Sequence, residues 1–488
     1  MKWIRSDFLP ERCGTVLRFL PAGKPVSFRS PQLQAAYGAC LAGDPLTLEH
    51  KQIRTLRLPL GEGFATVALA GFDSGCQAPF DELRKVTAAL GTVLADQGSG
   101  EVFLDGVEAL AFASEEEVLG QIAATLPLCE YRFDRYFTEK KQMQEHTVTV
   151  AAGPGAEDAL AEGQMLAQAV CTARDLVNEV AEVLTPAELA RRACDLGEQW
   201  GFSVEVLDRA ACEALGMGLF LAVARGSALE PRFIVMRWNG GVADQPPVAL
   251  VGKGITYDSG GLAIKSGSGM ASMRFDMNGG AAVIGAMCAI AGRKLPRNVV
   301  GVVAACENMV DARSYRNGDV LTSMSGKTVF VHNTDAEGRL TMADAITYCV
   351  RKERPSEILE VAGLTGSVCN FYGSVCAAAL TTDDALFDRL ERLTPVTGEK
   401  YARMPAFPEY RERLKSPYAD LDNAPEGGCG GIVAGFFLDA FREEVPFLHV
   451  DFGAMPFTSK KSDGQPEGGT GFGVKSLYYY VKDRGVTA

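Results

Sequence analysis

Histidine is scarce in this chain. There are four in 488 residues, His50, His146, His332 and His449, and no two form an HxH or HExxH pair. Any bound metal must therefore be held mainly by carboxylates, and an oxygen-rich set suits Mg²⁺, Mn²⁺ or a carboxylate-bound Zn²⁺. The 13 cysteines are odd in number, scattered, and form no CxxC pair. That excludes a disulfide framework and reads as reduced thiols in a cytosolic protein, most of them buried as small hydrophobes. Basic excess is also lacking: Lys and Arg total 48 against 61 Asp and Glu, a net charge of −13. Nonspecific binding to nucleic acid or to an anionic membrane is disfavoured by that balance. No apolar run approaches about 18 residues, so no membrane span is expected. The opening MKWIRSDFLPERCG has no apolar h-region, so no secretory leader is expected either. These absences together point to a cytoplasmic protein.

What is present is ample core material. Apolar residues make up 47% of the chain, and its length suggests two or three domains. Residues 1–150 alternate short apolar runs with helical patterns. TVLRFL (15–20) and ATVALAG (65–71) read as strands, PFDELRKVTAALGTVLADQG (79–98) as an amphipathic helix. Ser114 and Glu117 have the spacing of a capping box. No catalytic constellation is visible in this part, which reads as a small α/β domain for assembly or shielding. A polar stretch (137–147) and AAGPGAEDAL mark a boundary. A linking helix is expected across 151–180, and a catalytic domain over 181–488. Thr185-Pro186-Ala187-Glu188 has the form of a helix start.

From residue 203 onward strand and helix alternate. SVEVLD, LFLAVA, RFIVMRW, VALVGKG, NVVGVVAACEN, KTVFVHN, SEILEVAGL and FLHVDFG read as strands. Met277 to Arg293, rich in Ala and Gly, reads as a helix, as does EGRLTMADAITYCVRK. Uninterrupted V/I/L strands between helices predict an α/β fold: a mixed, mostly parallel sheet covered by helices on both faces. Ligands of such sheets bind at the carboxyl ends of the strands. Charged motifs sit there: Lys253 after VALVG, Asp335 after VFVH, and Leu364-Thr365-Gly366 after ILEVAG.

Two segments concentrate charge among glycines. Residues 251–280 carry Lys253, Asp258, Lys265 and Asp276; residues 333–340 (NTDAEGRL) carry Asp335, Glu337 and Arg339. Converging half-buried carboxylates repel one another and would take up protons unless a cation is present. Two divalent ions would relieve that repulsion. Singly, each carboxylate reads as a cap or loop residue, and Asp335 could cap a helix beginning near Ala336. Together, at successive strand ends, they read as a metal cluster. Lys253 is either an ion-pair partner of these acids or a neutral-amine ligand that has lost its proton against a reference value of ~10.4. Lys265 is either a solvated loop lysine or a cation aimed at a forming oxyanion. Arg339 falls in the first turn of a helix, where a cation is disfavoured unless an anion is near, which suggests a small bound anion. His332 and His449 read better as supporting core histidines than as ligands. Met273, between two of the aspartates, is core or pocket wall. The glycine-rich stretches match neither GxGxxG in a βαβ context nor GxxxxGK[ST], and read as tight turns.

NTDAEGRL and VGKGITYDSGG…K…MRFDM resemble the leucyl aminopeptidases, a family of dinuclear-metal cytosolic exopeptidases. ARDLVNE (173–179), LTPAELA (184–190), CENM with the following GDV, GLTGS (363–367) and TGFGV (470–474) extend the likeness over roughly 165–480, and YRFDRY (131–136) carries it weakly further. The resemblance implies one metal on Asp258, Asp335 (with its main-chain carbonyl) and Glu337, and a second on Lys253, Asp258, Asp276 and Glu337. It implies catalytic roles for Lys265 and Arg339, with bicarbonate on Arg339 as general base. It places Leu364 and Gly366 against the substrate main chain, implies Zn²⁺ or Mn²⁺ as occupants, and implies a homohexamer. Departures fall around the cleft: Glu360 for Asp, Gly363 for Thr, Asn317 for Pro, and DFGA (451–454) for DIAG. None removes a ligand, but together they put side-chain preference in doubt.

The reading that follows is hydrolysis of the N-terminal residue from peptides with a free N-terminus, by two-metal activation of a bridging water. The peptide's α-amine would bind near Asp276, Lys265 would stabilise the oxyanion, and bicarbonate would move the proton. Two rivals remain at this level. A phosphoesterase would act on phosphate monoesters and not on aminoacyl anilides. A DNA-binding regulator of the same family would give a salt-dependent gel shift.

Overall fold

The computed structural model describes residues 1–6, 13–40, 43–97, 100–140, 144–461 and 465–483. The chain divides into two compact units: Met1–Gln168 with Lys460–Pro466, and Ala169–Ser459 with Glu467–Ala488.

In the first unit a six-stranded sheet runs in the order Lys2–Arg5, Thr147–Val150, Glu101–Asp105, Thr15–Pro21, Gly63–Phe72, Ile53–Leu60. All neighbours are parallel except the last pair, a hairpin. Strand side chains alternate between faces. Leu17 and Phe19 accordingly pack with Leu83, Val86 and Leu90 of the helix Pro79–Gln97, while Val16 and Leu20 pack with Leu33 and Tyr37 of the helix Pro31–Cys40. The capping box forms: Ser114 Oγ accepts the Glu117 amide and Glu117 Oε2 accepts the Ser114 amide, at 3.2 and 3.0 Å.

The second unit is built on an eight-stranded sheet. Its order is Tyr401–Arg403, Ala377–Leu380, Phe447–Asp451, Glu357–Ala362, Val248–Asp258, Asn298–Asn308, Arg232–Asn239, Ser203–Leu207. The four middle strands, from Phe447–Asp451 to Asn298–Asn308, are mutually parallel, and antiparallel pairs flank them. They are buried along almost their whole length, because helices cover both faces. The helix Asn278–Gly292 is buried at all but its last residue, which explains its Ala/Gly composition. The stretch Gly267–Gly292 has the length and hydropathy of a membrane span, but 89% of its most apolar 18-residue window is buried inside the protein.

Three local expectations are corrected. LFLAVA is not a strand: Gly218–Ala224 is a helix, and the buried Asp344 carboxylate accepts its Leu219 and Phe220 amides, both at 2.9 Å. That cap is supplied from more than 120 residues away, so no local pattern announces it. VFVH is not part of the main sheet: Thr328–Phe330 pairs with Val320–Thr322 and Leu421–Asp422 in a separate three-stranded sheet. Lys253 does not follow its strand but lies inside it, since pairing with Asn298–Asn308 continues to Asp258.

The candidate metal centre

The strand Val248–Asp258 supplies two of the charged residues, and a bulge decides how they face. Pairing with Asn298–Asn308 slips by one residue between Cys306 and Glu307, leaving Thr256 as the extra residue. Lys253 and Asp258 are five apart, so a regular strand would send them to opposite faces. One inserted residue reverses the parity and turns both to the same site. The bulge also sets Asp258 opposite Asn308, whose Nδ2 donates to Asp258 Oδ1 at 2.8 Å. The Gly260 amide donates to the same oxygen, also at 2.8 Å.

Asp276 closes the short turn Met273–Phe275 just ahead of the helix Asn278–Gly292. That helix start approaches the strand closely. A Cβ on Gly279 would stand 2.1 Å from the Val361 carbonyl oxygen and 2.9 Å from the Lys253 amide nitrogen, so glycine is required there. Asp335 and Glu337 lie on the loop into the helix Gly338–Tyr348, with Glu337 itself at the cap position. Asp335 is not a helix cap. Its amide donates to Asn333 Oδ1 at 2.8 Å and its carboxylate pairs with Lys265.

Six of the seven charged residues converge, all but Arg339. Lys253 Nζ lies 2.8 and 2.7 Å from the two Asp276 oxygens and 2.8 Å from Glu337 Oε1. Lys265 Nζ lies 2.9 Å from Asp258 Oδ2 and also contacts Asp335. Asp258, Asp335 and Glu337 each present an oxygen, and those atoms lie within 4.8 Å of one another. Lys253, Asp258, Asp276, Glu337 and Arg339 are buried; Asp335 and Lys265 are half-buried.

Electrostatics mark the centre as short of positive charge. Four carboxylates face two ammonium groups, and burial raises the Asp276, Glu337 and Asp335 carboxyls above their ordinary values. Burial pulls the Lys253 ammonium down, but Asp276, Glu337 and Asp258 outweigh it and hold the proton on. Lys265 is raised in the same way, with Asp258 the leading partner. Divalent cations would balance the surplus acid and displace the Lys253 proton, so the donor set fits a carboxylate-rich metal centre.

Arg339 occupies the first turn of its helix. Nη1 donates to the Asn423 carbonyl at 2.7 Å, while Nε, buried, has no hydrogen-bond partner among the described residues. Burial lowers the guanidinium to about 10, with Glu337, Asp451 and Asp422 opposing, so it remains a cation at neutral pH. An unpaired N–H beside a helix N-terminus is suited to a small anion.

The other predicted residues lie on the same elements. Met273 is half-buried in the turn three residues before Asp276. Leu364 lies in the connection after the strand Glu357–Ala362 and Gly366 opens the helix Gly366–Tyr372; that connection is tied to the centre because the Gly363 amide donates to Asn278 Oδ1 at 3.1 Å. The Leu364 amide is taken by Asp451 Oδ1 at 3.0 Å, and a Cβ on Gly366 would meet open space. His332 pairs with Asp422 at 3.1 Å, and His449 is fully buried against Glu360. Sequence reasoning missed the polar residues that hold the ligands. Asn308 spans Asp258 and the Thr334 carbonyl, Tyr315 donates to that same carbonyl at 2.6 Å, and Asn423 ties the Asp335 loop. Only Asn308, inside CENM, lay in a stretch that had drawn attention.

Fold and centre together define a metal-dependent hydrolase of α/β architecture. The cytosol aminopeptidase family's catalytic domain matches residues 171–478, and its N-terminal domain matches residues 32–140. A probable cytosol aminopeptidase of Clostridium perfringens is 41% identical over 428 residues, covering 86% of each chain. Another, from Methylobacterium radiotolerans, is 41% identical over 438 residues, covering 88% of this chain and 86% of the relative. The solved structure of the bottromycin maturation enzyme BotP in complex with Mn superposes with a TM-score of 0.85 at 30% identity, over 97% of this chain and 99% of that one. This chain belongs to the cytosol aminopeptidase family and is a metallo-exopeptidase, a hydrolase of peptide bonds.

Proposed function

We propose that the chain removes the N-terminal residue from peptides with a free α-amine, using two divalent ions per subunit. The observation that carries this is the surplus of buried carboxylate described above: four acids and two lysines around one point, without enough cation among the described side chains. Asp258, Asp335 and Glu337 would hold one ion, and Lys253, Asp258, Asp276 and Glu337 the other. The ions, when bound, supply an activated water and a Lewis acid for the scissile carbonyl.

The protein's own groups do the rest. The substrate amine would bind beside Asp276, on the Lys253 side of the cluster. Lys265 sits on a loop at the rim of the cluster, half-buried, where its ammonium can meet the oxyanion that develops on the carbonyl. Arg339 holds bicarbonate, whose oxygens would satisfy the free Nε–H and which supplies a general base when bound. Met273 walls the pocket, and Leu364 and Gly366 offer main-chain groups to the peptide. Zn²⁺ and Mn²⁺ both suit the donors, and the Mn in the BotP complex favours the second. The protein would act in the cytoplasm as a homohexamer, with the first 150 residues serving assembly or shielding. A sedimentation mass of one 52.1 kDa chain would overturn the assembly.

The decisive experiment is a panel of aminoacyl anilides tested on metal-stripped and metal-restored protein. Activity should vanish on stripping and return with Mn²⁺ or Zn²⁺. Asp276→Asn should keep its fold and lose activity; full turnover in that variant, or indifference to chelators, refutes the proposal.

A further inference from the structure

Asn423 contributes no atom to the cluster, yet it bonds to both ends of the loop 332–336 that carries Asp335. The residue is wholly buried, just after the short strand Leu421–Asp422. Its amide nitrogen donates to the Phe330 carbonyl at 3.1 Å, continuing the pairing of that strand with Thr328–Phe330. Its side-chain Oδ1 accepts two amides, His332 at 2.8 Å and Asn333 at 3.2 Å. Its Nδ2 donates to two carbonyls, Asn333 at 2.7 Å and Ala336 at 3.3 Å. Its own carbonyl accepts from Arg339 Nη1 at 2.7 Å.

Two donors on one end and two acceptors on the other fix the orientation of the carboxamide. They also saturate it, leaving one arrangement of the loop 332–336 in which all four partners are served. Asp335 lies inside that span and Glu337 follows it directly. A strand and turn would need only the main-chain bond to Phe330. The carboxamide adds a clamp across the ligand-bearing loop, and the same residue steadies the guanidinium.

We propose that Asn423 is a positioning residue for the metal centre: it sets the loop that presents Asp335 and Glu337 and anchors Arg339 in register with them. This rests on the reading of the site as a metal centre given above. Groups that orient ligands from behind cost about 10–100-fold in metal affinity or activity when removed. A residue that mattered only to folding would change the melting temperature and leave those two quantities alone.

The test uses the full chain, with Mn²⁺ titrated into metal-free protein by calorimetry and kcat and KM measured on an aminoacyl anilide well below the melting temperature. Asn423→Ala should bind Mn²⁺ about tenfold or more weakly and lose about tenfold or more in kcat. Its KM should stay close to that of the parent, because no substrate contact is removed. Asn423→Asp keeps both accepted bonds but sets a buried carboxylate oxygen against the Asn333 and Ala336 carbonyls, so it should lose at least as much as Asn423→Ala. Parental Mn²⁺ affinity and kcat in Asn423→Ala overturn the proposal. Should that variant fail to fold, parental values in Asn423→Asp overturn it equally. If the parent chain itself neither binds Mn²⁺ nor cleaves the anilide, the functional reading has failed and not the positioning role.

Discussion

At the scale of single residues, the centre shows how little room a buried charge cluster leaves. Gly338 stands between Glu337 and Arg339 for a steric reason. A Cβ there would lie 2.4 Å from Lys253 Cε and 2.9 Å from its Nζ. The neighbour is the end of a flexible side chain, so Gly338→Ala should fold, with a loss of about 1–3 kcal/mol as for other overpacked sites. Lys253 must then move away from Asp276 and Glu337. Displacing a site group by about 1 Å can cost on the order of 100-fold in rate. Gly338→Ala should therefore lose far more activity than stability, read from kcat/KM beside a thermal melt. Near-parental turnover would show that Lys253 need not stand where it does. The glycine was visible in NTDAEGRL, but its reason was not, because Lys253 is 85 positions away in the chain.

At the scale of elements, the helix Gly338–Tyr348 joins the site to the rest of its unit. Asp344, on its buried length, accepts the Leu219 and Phe220 amides through one oxygen and the Met324 amide at 2.8 Å through the other. Burial pushes this carboxyl up to about 7, against the pull of those three donors. The folded value thus exceeds the ordinary 3.8. Between about pH 4 and 7 the unfolded chain has released the proton and the folded chain retains it. The group's contribution to stability is whole below about pH 4 and is lost as pH rises through about 7. Subtracting the unfolding free energy of Asp344→Asn from that of the parent at each pH should leave a difference that declines over this range. A flat difference would mean that the carboxylate is already ionised in the fold. Neither this linkage nor the helical state of LFLAVA was legible locally, since one distant carboxylate decides both.

At the scale of the whole molecule, the cluster couples metal to stability. Ligands that bind only the folded state stabilise it by about 2.7 kcal/mol per site at a hundredfold excess over Kd. Here the gain includes relief of repulsion among Asp258, Asp276, Asp335 and Glu337. Chelation should lower the melting temperature by several degrees, and restoring Mn²⁺ should recover it. An unchanged melt across stripping and refilling would argue that no ion occupies the cluster.

The amino-acid sequence by itself determined which residues are acidic, that histidine is too rare to bind metal alone, and that strands alternate with helices around two charged motifs. These are properties of composition and of short periodic patterns, which local physics writes directly into the chain. Tertiary structure decided what no window of residues contains. The bulge at Thr256 brings Lys253 and Asp258 to one side, the Asp344 carboxylate turns an apolar run into a helix, and Asn423 reaches back 90 residues to hold the loop of Asp335. Each depends on a partner far along the chain, so its energy exists only once the fold has closed.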